Sequence, residues 1–243
     1  MLAELTGRSE GGQVLPALVW RLAEPRLAVS TGSLGGGVGL RRWVLNMSVP
    51  PMYARMDPAT HLAEVAGGLG LDGPGVGLMT AVDVARRVSV ADGDVQVTAT
   101  VGMRSAVWAA APEPAGGPEP AGGRPPGPRR GGRASSGGPG PVGTVNIVVF
   151  VPARLCDAAL VNAVATVVEA RAQAMLELGL PGTGTPSDAI CVLCPADGEA
   201  ALYGGTRSYW GSRVARAVHR AVRAGGMADG LGGVAPGGPQ RSS

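Results

Sequence analysis

The chain contains no lysine, and has one phenylalanine, two histidines and three cysteines in 243 residues. With lysine absent, all 21 cationic side chains are arginine, which reads as a coding bias rather than a phosphate-binding device. Two histidines, His61 and His219, make a His-rich metal site unfavourable, and no metal is expected. Three cysteines do not make a disulfide framework. Cys191 and Cys194 spell CVLC, but AICVLCP reads as a buried strand in which positions i and i+3 point to opposite faces, so both thiols are expected to be small apolar fillers. There is no GxSxG elbow, no HExxH and no cysteine with a well-placed histidine. No charged segment leading into an apolar one opens the chain, and no run of eighteen apolar residues exists. The expectation is a soluble, cytoplasmic protein without membrane contact.

Two stretches are rich in glycine and proline instead of core residues. Residues 112–141 hold 10 Gly and 9 Pro in 30 positions, and residues 225–243 have no apolar periodicity. Neither buries enough apolar surface to offset its chain entropy, so a disordered linker and a disordered tail are expected. The domain is then 13–224, interrupted by the linker. The formal charge of +3 is misleading, because four linker arginines against Glu113 and Glu119 (4 − 2) account for +2 of it. The remainder is nearly neutral and offers no footprint for nucleic acid.

Residues 1–12 read as frayed. The runs 14–22 and 26–30, split by Glu24-Pro25, suggest a hairpin. TGSLGGGVG (31–39) is glycine-rich after a strand, and Gly35 and Gly36 could approach a ligand closely with their backbone, although no P-loop ending follows. A strand is expected over 41–50 and a helix from Asp57-Pro58 to about Ala66. Two or three strands follow over 76–102, with a turn at Asp92-Gly93.

Beyond the linker come a β-branched strand (145–151), a helix from about Asp157 to Leu178, strands at 189–194 and 201–203, and a last helix over 210–223. That last helix has Val214, Val218 and Val222 inward. The long helix is assigned an apolar face of Leu160, Val164, Val168, Ala172 and Met175. Its polar stripe is Asn162, Thr166, Glu169, Gln173 and Glu177, the pattern of a solvated face.

The two sides of the linker resemble each other, with Asn46 and Asn146 in matching places. The fold class expected is α/β (α+β), a single domain of two pseudo-repeated βαββ halves about a pseudo-twofold axis, with its site at their junction. Polar residues gather at strand and helix ends: Asn46, Thr80, Asp83, Thr100, Asn146, Glu169, Thr183, Thr185, Ser187 and Asp188. A carboxylate beside a water or hydroxyl can act as general base, and amides and loop N–H groups can hold an oxyanion. That inventory suits hydrolysis of an amide or ester. Thr144, behind a glycine and the linker, has the placement of a nucleophile freed by self-cleavage, or of a residue that begins a strand.

In order, SLGGG…RRWVLNMSVP, MDPATHL, VGLMTAVDV, TATVGMRSA, GTVNIVV, LVNAVATVVEARAQAMLELG, GTGTPSDAICV and YGGTRSYWG resemble the adenosylcobinamide amidohydrolases of corrinoid salvage. The likeness covers about 14–110 and 142–224. It departs from the family where VVEAR puts Arg171 in the lysine position of TEAK, and where Pro186-Ser187 precedes Asp188.

The resemblance implies hydrolysis of the amide joining aminopropanol to the corrin ring, giving adenosylcobyric acid and 1-amino-2-propanol. No cofactor is implied, since the cobalt belongs to the substrate. On this reading Asp188 or Glu169 activates water and Asn146 and Asn46 polarise the scissile carbonyl. Thr80, Thr144, Thr183, Thr185, Ser187, Gly35 and Gly36 line the pocket, and aromatic walls come from among Trp43, Trp108, Trp210, Tyr53, Tyr203 and Tyr209. The alternatives are a non-catalytic corrinoid-binding or hand-off protein, against which the retained carboxylates argue, and an acyltransferase working through Thr144. The oligomeric state stays open, a homo-oligomer included.

Overall fold

The computed structural model of the chain describes residues 1–111 and 143–231. The linker expected over 112–141 and the tail beyond 231 lie outside the described residues. Eight strands form one mixed sheet with three α-helices against it. Strand β1 is Glu4–Glu10, β2 Gln13–Ser30, β3 Gly37–Ser48, β4 Gly75–Thr80, β5 Val88–Asp92, β6 Val95–Met103, β7 Gly143–Phe150 and β8 Ala189–Pro195. The helices are α1 Pro58–Gly68, α2 Asp157–Glu177 and α3 Tyr209–Gly226. The strand order is β4-β3-β2-β8-β7-β6-β5, with β1 on the edge of β2. Both halves carry a strand–helix–strand unit whose strands are parallel neighbours, β3-α1-β4 and β7-α2-β8. Each is preceded by an antiparallel partner, β2 or β6.

Period-two patterning divides the core into layers. In β3 the odd residues Trp43, Leu45 and Met47 pack with Leu62 and Ala66 of α1. In β7 and β8, Val145, Ile147, Val149, Ile190 and Val192 pack with the inner faces of α2 and α3. Their alternates, Val148, Cys191 and Leu193, share a third cluster with Trp20, Val44, Val76 and Leu78 from the other half. A flat sheet would hold β4 and β7 about 19 Å apart, four strand spacings. Asn146 Nδ2 nevertheless reaches Met79 O at 3.1 Å. The sheet therefore curls until its two halves face each other, with the third cluster between them and the helices outside.

Several expectations need correction. The first twelve residues are not frayed: β1 pairs with β2 from Glu4↔Val19 to Glu10↔Gln13. Gly11 and Gly12, at φ 57° and 77°, make the tight turn that such a hairpin requires. There is no hairpin at Glu24-Pro25. The chain pairs with β3 on both sides of that point, at Ala17–Arg21 and again at Arg26–Ser30, so it runs on through an irregularity that tolerates the missing proline N–H.

Ala201 makes only an isolated bridge to Leu155, not a strand. The tail begins later than 225, because Gly225 and Gly226 are buried in α3 and a π-turn continues to Leu231. On α2 the buried residues include Ala163, Thr166, Val167, Ala170 and Ala174, whereas Val168 is 37 % exposed. The inward face is rotated from the assigned one, because α3 and the Gly204 backbone cover the side on which Thr166 lies. Thr166 Oγ1 donates to Gly204 O at 2.9 Å.

The valines 214, 218 and 222 of α3 are buried, as their spacing predicts. Cys191 and Cys194 fall in different core clusters, on opposite faces of β8. No helix among the described residues is long and apolar enough to cross a membrane.

Candidate active site

The seam between the two halves is polar at one end. Asn46, on β3, is 2 % exposed and Asn146, on β7, is fully buried. Asn146 Nδ2 donates to Asn46 Oδ1 at 2.9 Å and to Met79 O at 3.1 Å. Asn46 Nδ2 donates to Thr100 Oγ1 at 3.1 Å. Both amide hydrogens of Asn146 are thereby used, while its Oδ1 has no partner. This carboxamide can accept a hydrogen bond but has no donor left to polarise a carbonyl. Both asparagines lie on the face of their strand turned away from its own helix, Asn46 between Leu45 and Met47 and Asn146 between Val145 and Ile147.

Next to this pair, the turn leading into β8 folds around Asp188, whose side chain is 7 % exposed. Val145 N donates to Asp188 Oδ1 at 2.7 Å, and the Thr185 hydroxyl donates to the same oxygen. Thr185 N and Arg171 Nη1 donate to Oδ2 at 2.9 and 2.7 Å. Arg171 Nη2 also reaches Thr183 O at 3.2 Å. Four donors fill the lone-pair sites of one carboxylate, which suits a brace better than a proton acceptor. Beside the brace, Thr144 Oγ1 and Ser187 Oγ lie 2.7 Å apart, Thr144 buried and Ser187 exposed.

A short segment crosses this turn. Val107 N donates to Gly184 O and Thr183 N to Val107 O, both at 2.9 Å. A Cβ on Gly182 would stand 2.5 Å from Val107 N, so the close crossing requires glycine there. Trp108, half-exposed, follows directly.

The other expected site residues are placed differently. Glu169 is exposed on α2 and has no hydrogen bond or ion pair among the described residues. Thr80 is buried and accepts from Val82 N at 3.0 Å, shaping the turn after β4. Gly35, at φ 67°, lies against Gly75: a Cβ there would come within 1.9 Å of Gly75 O. Gly36 is similarly close to Gly32 O, so the close approach of this loop is to the chain's own backbone. Arg171 was not singled out for the site by sequence, although a long cation two positions after Glu169 was visible. Its role rests on which face of α2 turns inward.

Among the described residues no three His, Cys, Asp or Glu side chains are close enough to hold a metal ion. A cavity of about 140 Å³ opens at the far end of β7 and β8, among Phe150, Val151, Pro152, Leu193 and Cys194; it shares no residue with the polar seam.

Against known families, the model of the adenosylcobinamide amidohydrolases matches residues 2–230, both halves of the sheet together. The chain belongs to the adenosylcobinamide amidohydrolase family. It is similar to an adenosylcobinamide amidohydrolase of Methanosarcina mazei, 27 % identical over 207 residues, or 82 % of this chain and 88 % of that one. A protein of the same name from Halobacterium salinarum is 45 % identical over 85 residues, 35 % of this chain and 36 % of its own length. An uncharacterised protein of Methanocaldococcus jannaschii is 36 % identical over 89 residues, 33 % and 34 % of the two chains. The family match includes the Asn46–Asn146 seam and the Asp188 turn alike.

Proposed function

We propose that the chain hydrolyses adenosylcobinamide at the amide that carries aminopropanol, releasing adenosylcobyric acid and 1-amino-2-propanol for cobalamin salvage. The observation that carries this is the family match over residues 2–230, a range that contains the polar seam. Water oxygen bonds to the carbonyl carbon, the carbon–nitrogen bond breaks, and the departing nitrogen takes a proton. The corrinoid cobalt enters only as part of the substrate.

The substrate's side chain would enter at the rim formed by Ser187 and Trp108, with the hydroxyls of Thr144 and Ser187 facing the amide. The free Oδ1 of Asn146 would accept from a water or from the amide N–H, so Asn146 serves as an acceptor rather than an oxyanion donor. The half-exposed indole of Trp108 supplies an apolar wall for one side of the macrocycle.

Incubating the purified protein with adenosylcobinamide and separating the corrinoids tests this. Adenosylcobyric acid appearing together with aminopropanol is the expected result. Tight binding without conversion would favour a corrinoid-binding or hand-off protein instead. That second reading gains from one observation: Asp188 has a structural use, so a buried carboxylate no longer argues against a binder.

A further inference from the structure

We infer that Asp188 and Arg171 are positioning residues for the hydrolytic site, which together hold the Thr144–Ser187 hydroxyl pair in place. The inference rests on the amidohydrolase reading above and assigns Asp188 a role other than activating water.

The geometry is specific. Asp188 bridges three separate pieces of chain: the Val145 amide on β7, the amide and hydroxyl of Thr185 in its own turn, and Arg171 on α2. Arg171 spans the turn, with one nitrogen on Asp188 and another on Thr183 O. A Cβ on Gly184 would stand 2.9 Å from Arg171 Nη2 and 3.1 Å from Asp188 Oδ2, so the turn closes on the ion pair with no room for a side chain. Val145 is next to Thr144 in the chain, and Asp188 is next to Ser187. The brace therefore fixes the backbone beside both hydroxyls, which lie 2.7 Å apart. With all four donors in place, no lone pair of Asp188 is left to take a proton from water. Misplacing reacting groups by about 1 Å costs on the order of 100-fold in rate, so such a brace matters to turnover without touching substrate.

The test uses full-length protein and adenosylcobinamide, comparing wild type with Asp188→Asn, Arg171→Gln and the double variant, with kcat and KM measured across pH. Asp188→Asn sets an amide N–H against the donors of Arg171 and Thr185, and should lower kcat by about 10- to 100-fold with KM little changed. Any acid-side limb of the pH profile should stay where it is. The double variant, which replaces the stranded cation with a neutral acceptor, should regain at least about tenfold of the loss, because neighbouring groups in one network are not additive. Loss of the acid limb in Asp188→Asn, or a double variant no faster than the single one, would make Asp188 the base and overturn the inference. Should Asp188→Asn fail to fold, Arg171→Gln decides alone: a kcat equal to wild type overturns the brace, and a drop of about tenfold upholds it. An inactive wild type removes the hydrolytic reading and this inference together, whereas failure of the variants in an active enzyme removes only the inference.

Discussion

Asn146 donates a hydrogen bond to Asn46 Oδ1 at 2.9 Å, although the two residues stand 100 positions apart and on strands that do not neighbour each other in the sheet. The contact exists only because the sheet curls. It ties the two halves one residue away from Val145, whose amide Asp188 holds. Asn46→Ala removes the acceptor of one buried N–H and the donor to Thr100, so it should cost about 1–3 kcal/mol. Urea titration should show a lower midpoint at unchanged slope. A stability equal to wild type would mean that water replaces Asn46 and that the seam is wet.

Glu169→Gln should leave aminopropanol release unchanged, because Glu169 is solvent-exposed on α2 and makes no hydrogen bond or ion pair with the braced groups. Measured turnover at saturating adenosylcobinamide settles it. A fall of a hundredfold or more, the range for losing a general base, would return Glu169 to the site.

The same helix shows how far the sequence carried. Its existence and length were legible, since it opens after a β-branched strand and ends at Leu178-Gly179. Its rotation was not. Val161, Val168 and Leu176 are 59, 37 and 49 % exposed, so apolar residues run around most of the circumference and the period alone does not select a face. The polar stripe puts Glu169 on a solvated face, where the structure leaves it; only the family resemblance brings it to the site, and neither shows Arg171 as the partner of Asp188.

In α3, by contrast, three valines four apart opposite a row of arginines allow one orientation, and that one is observed. The β1 hairpin was missed for another reason: Glu4–Glu10 contains no buried residue and is held by backbone pairing with β2. Thr144, Asn146, Thr185, Ser187 and Asp188 were legible as a group because they punctuate two buried strands. Which of them donate and which accept became visible only with the curled sheet.

The thiols should react unequally. Burial pushes the Cys191 thiol up to about 12, partly offset by a hydrogen bond with Ser30, and burial also raises Cys194. Cys156 is half-buried. Treating folded protein with a thiol reagent at pH 8 should modify Cys156 first and leave Cys191 untouched until denaturant is added. Rapid loss of two thiols, or a disulfide between Cys191 and Cys194, would contradict their placement on opposite faces of β8.

Gly204→Ala should destabilise the second half. A Cβ at this position would lie 2.1 Å from Ala159 O in α2, a backbone atom that cannot move aside as a side-chain tip would. Overpacking of this kind costs about 1–3 kcal/mol. Gly198, at φ 103° with nothing within 4 Å of its Cβ position, is the contrasting site in the same connection between β8 and α3. Alanine at 198 is penalised by backbone conformation, about 1–2 kcal/mol, without displacing α2. Hydrogen exchange should therefore rise in the first turns of α2 for Gly204→Ala and stay local for Gly198→Ala.

Acid should loosen the contact between the β5–β6 hairpin and α3 through Asp92. Arg216 and Arg220 bond to its carboxylate at 2.8 to 3.0 Å, and the Arg216 hydrogen bond, ahead of the opposing effect of burial, holds its pKa below the usual carboxylate value. Because the folded-state value is the lower one, the stabilisation is fully present above about pH 4, the range of an unperturbed aspartate. It is lost as pH falls through the folded-state value. Both arginines are about half exposed, at 55 and 51 %, so solvent screening keeps the contribution small. Asp92→Asn should lower stability slightly at pH 7, with the difference from wild type vanishing at the acid end. A gap that widens as pH falls would reverse the sign and show that Asp92 is easier to ionise in the unfolded chain.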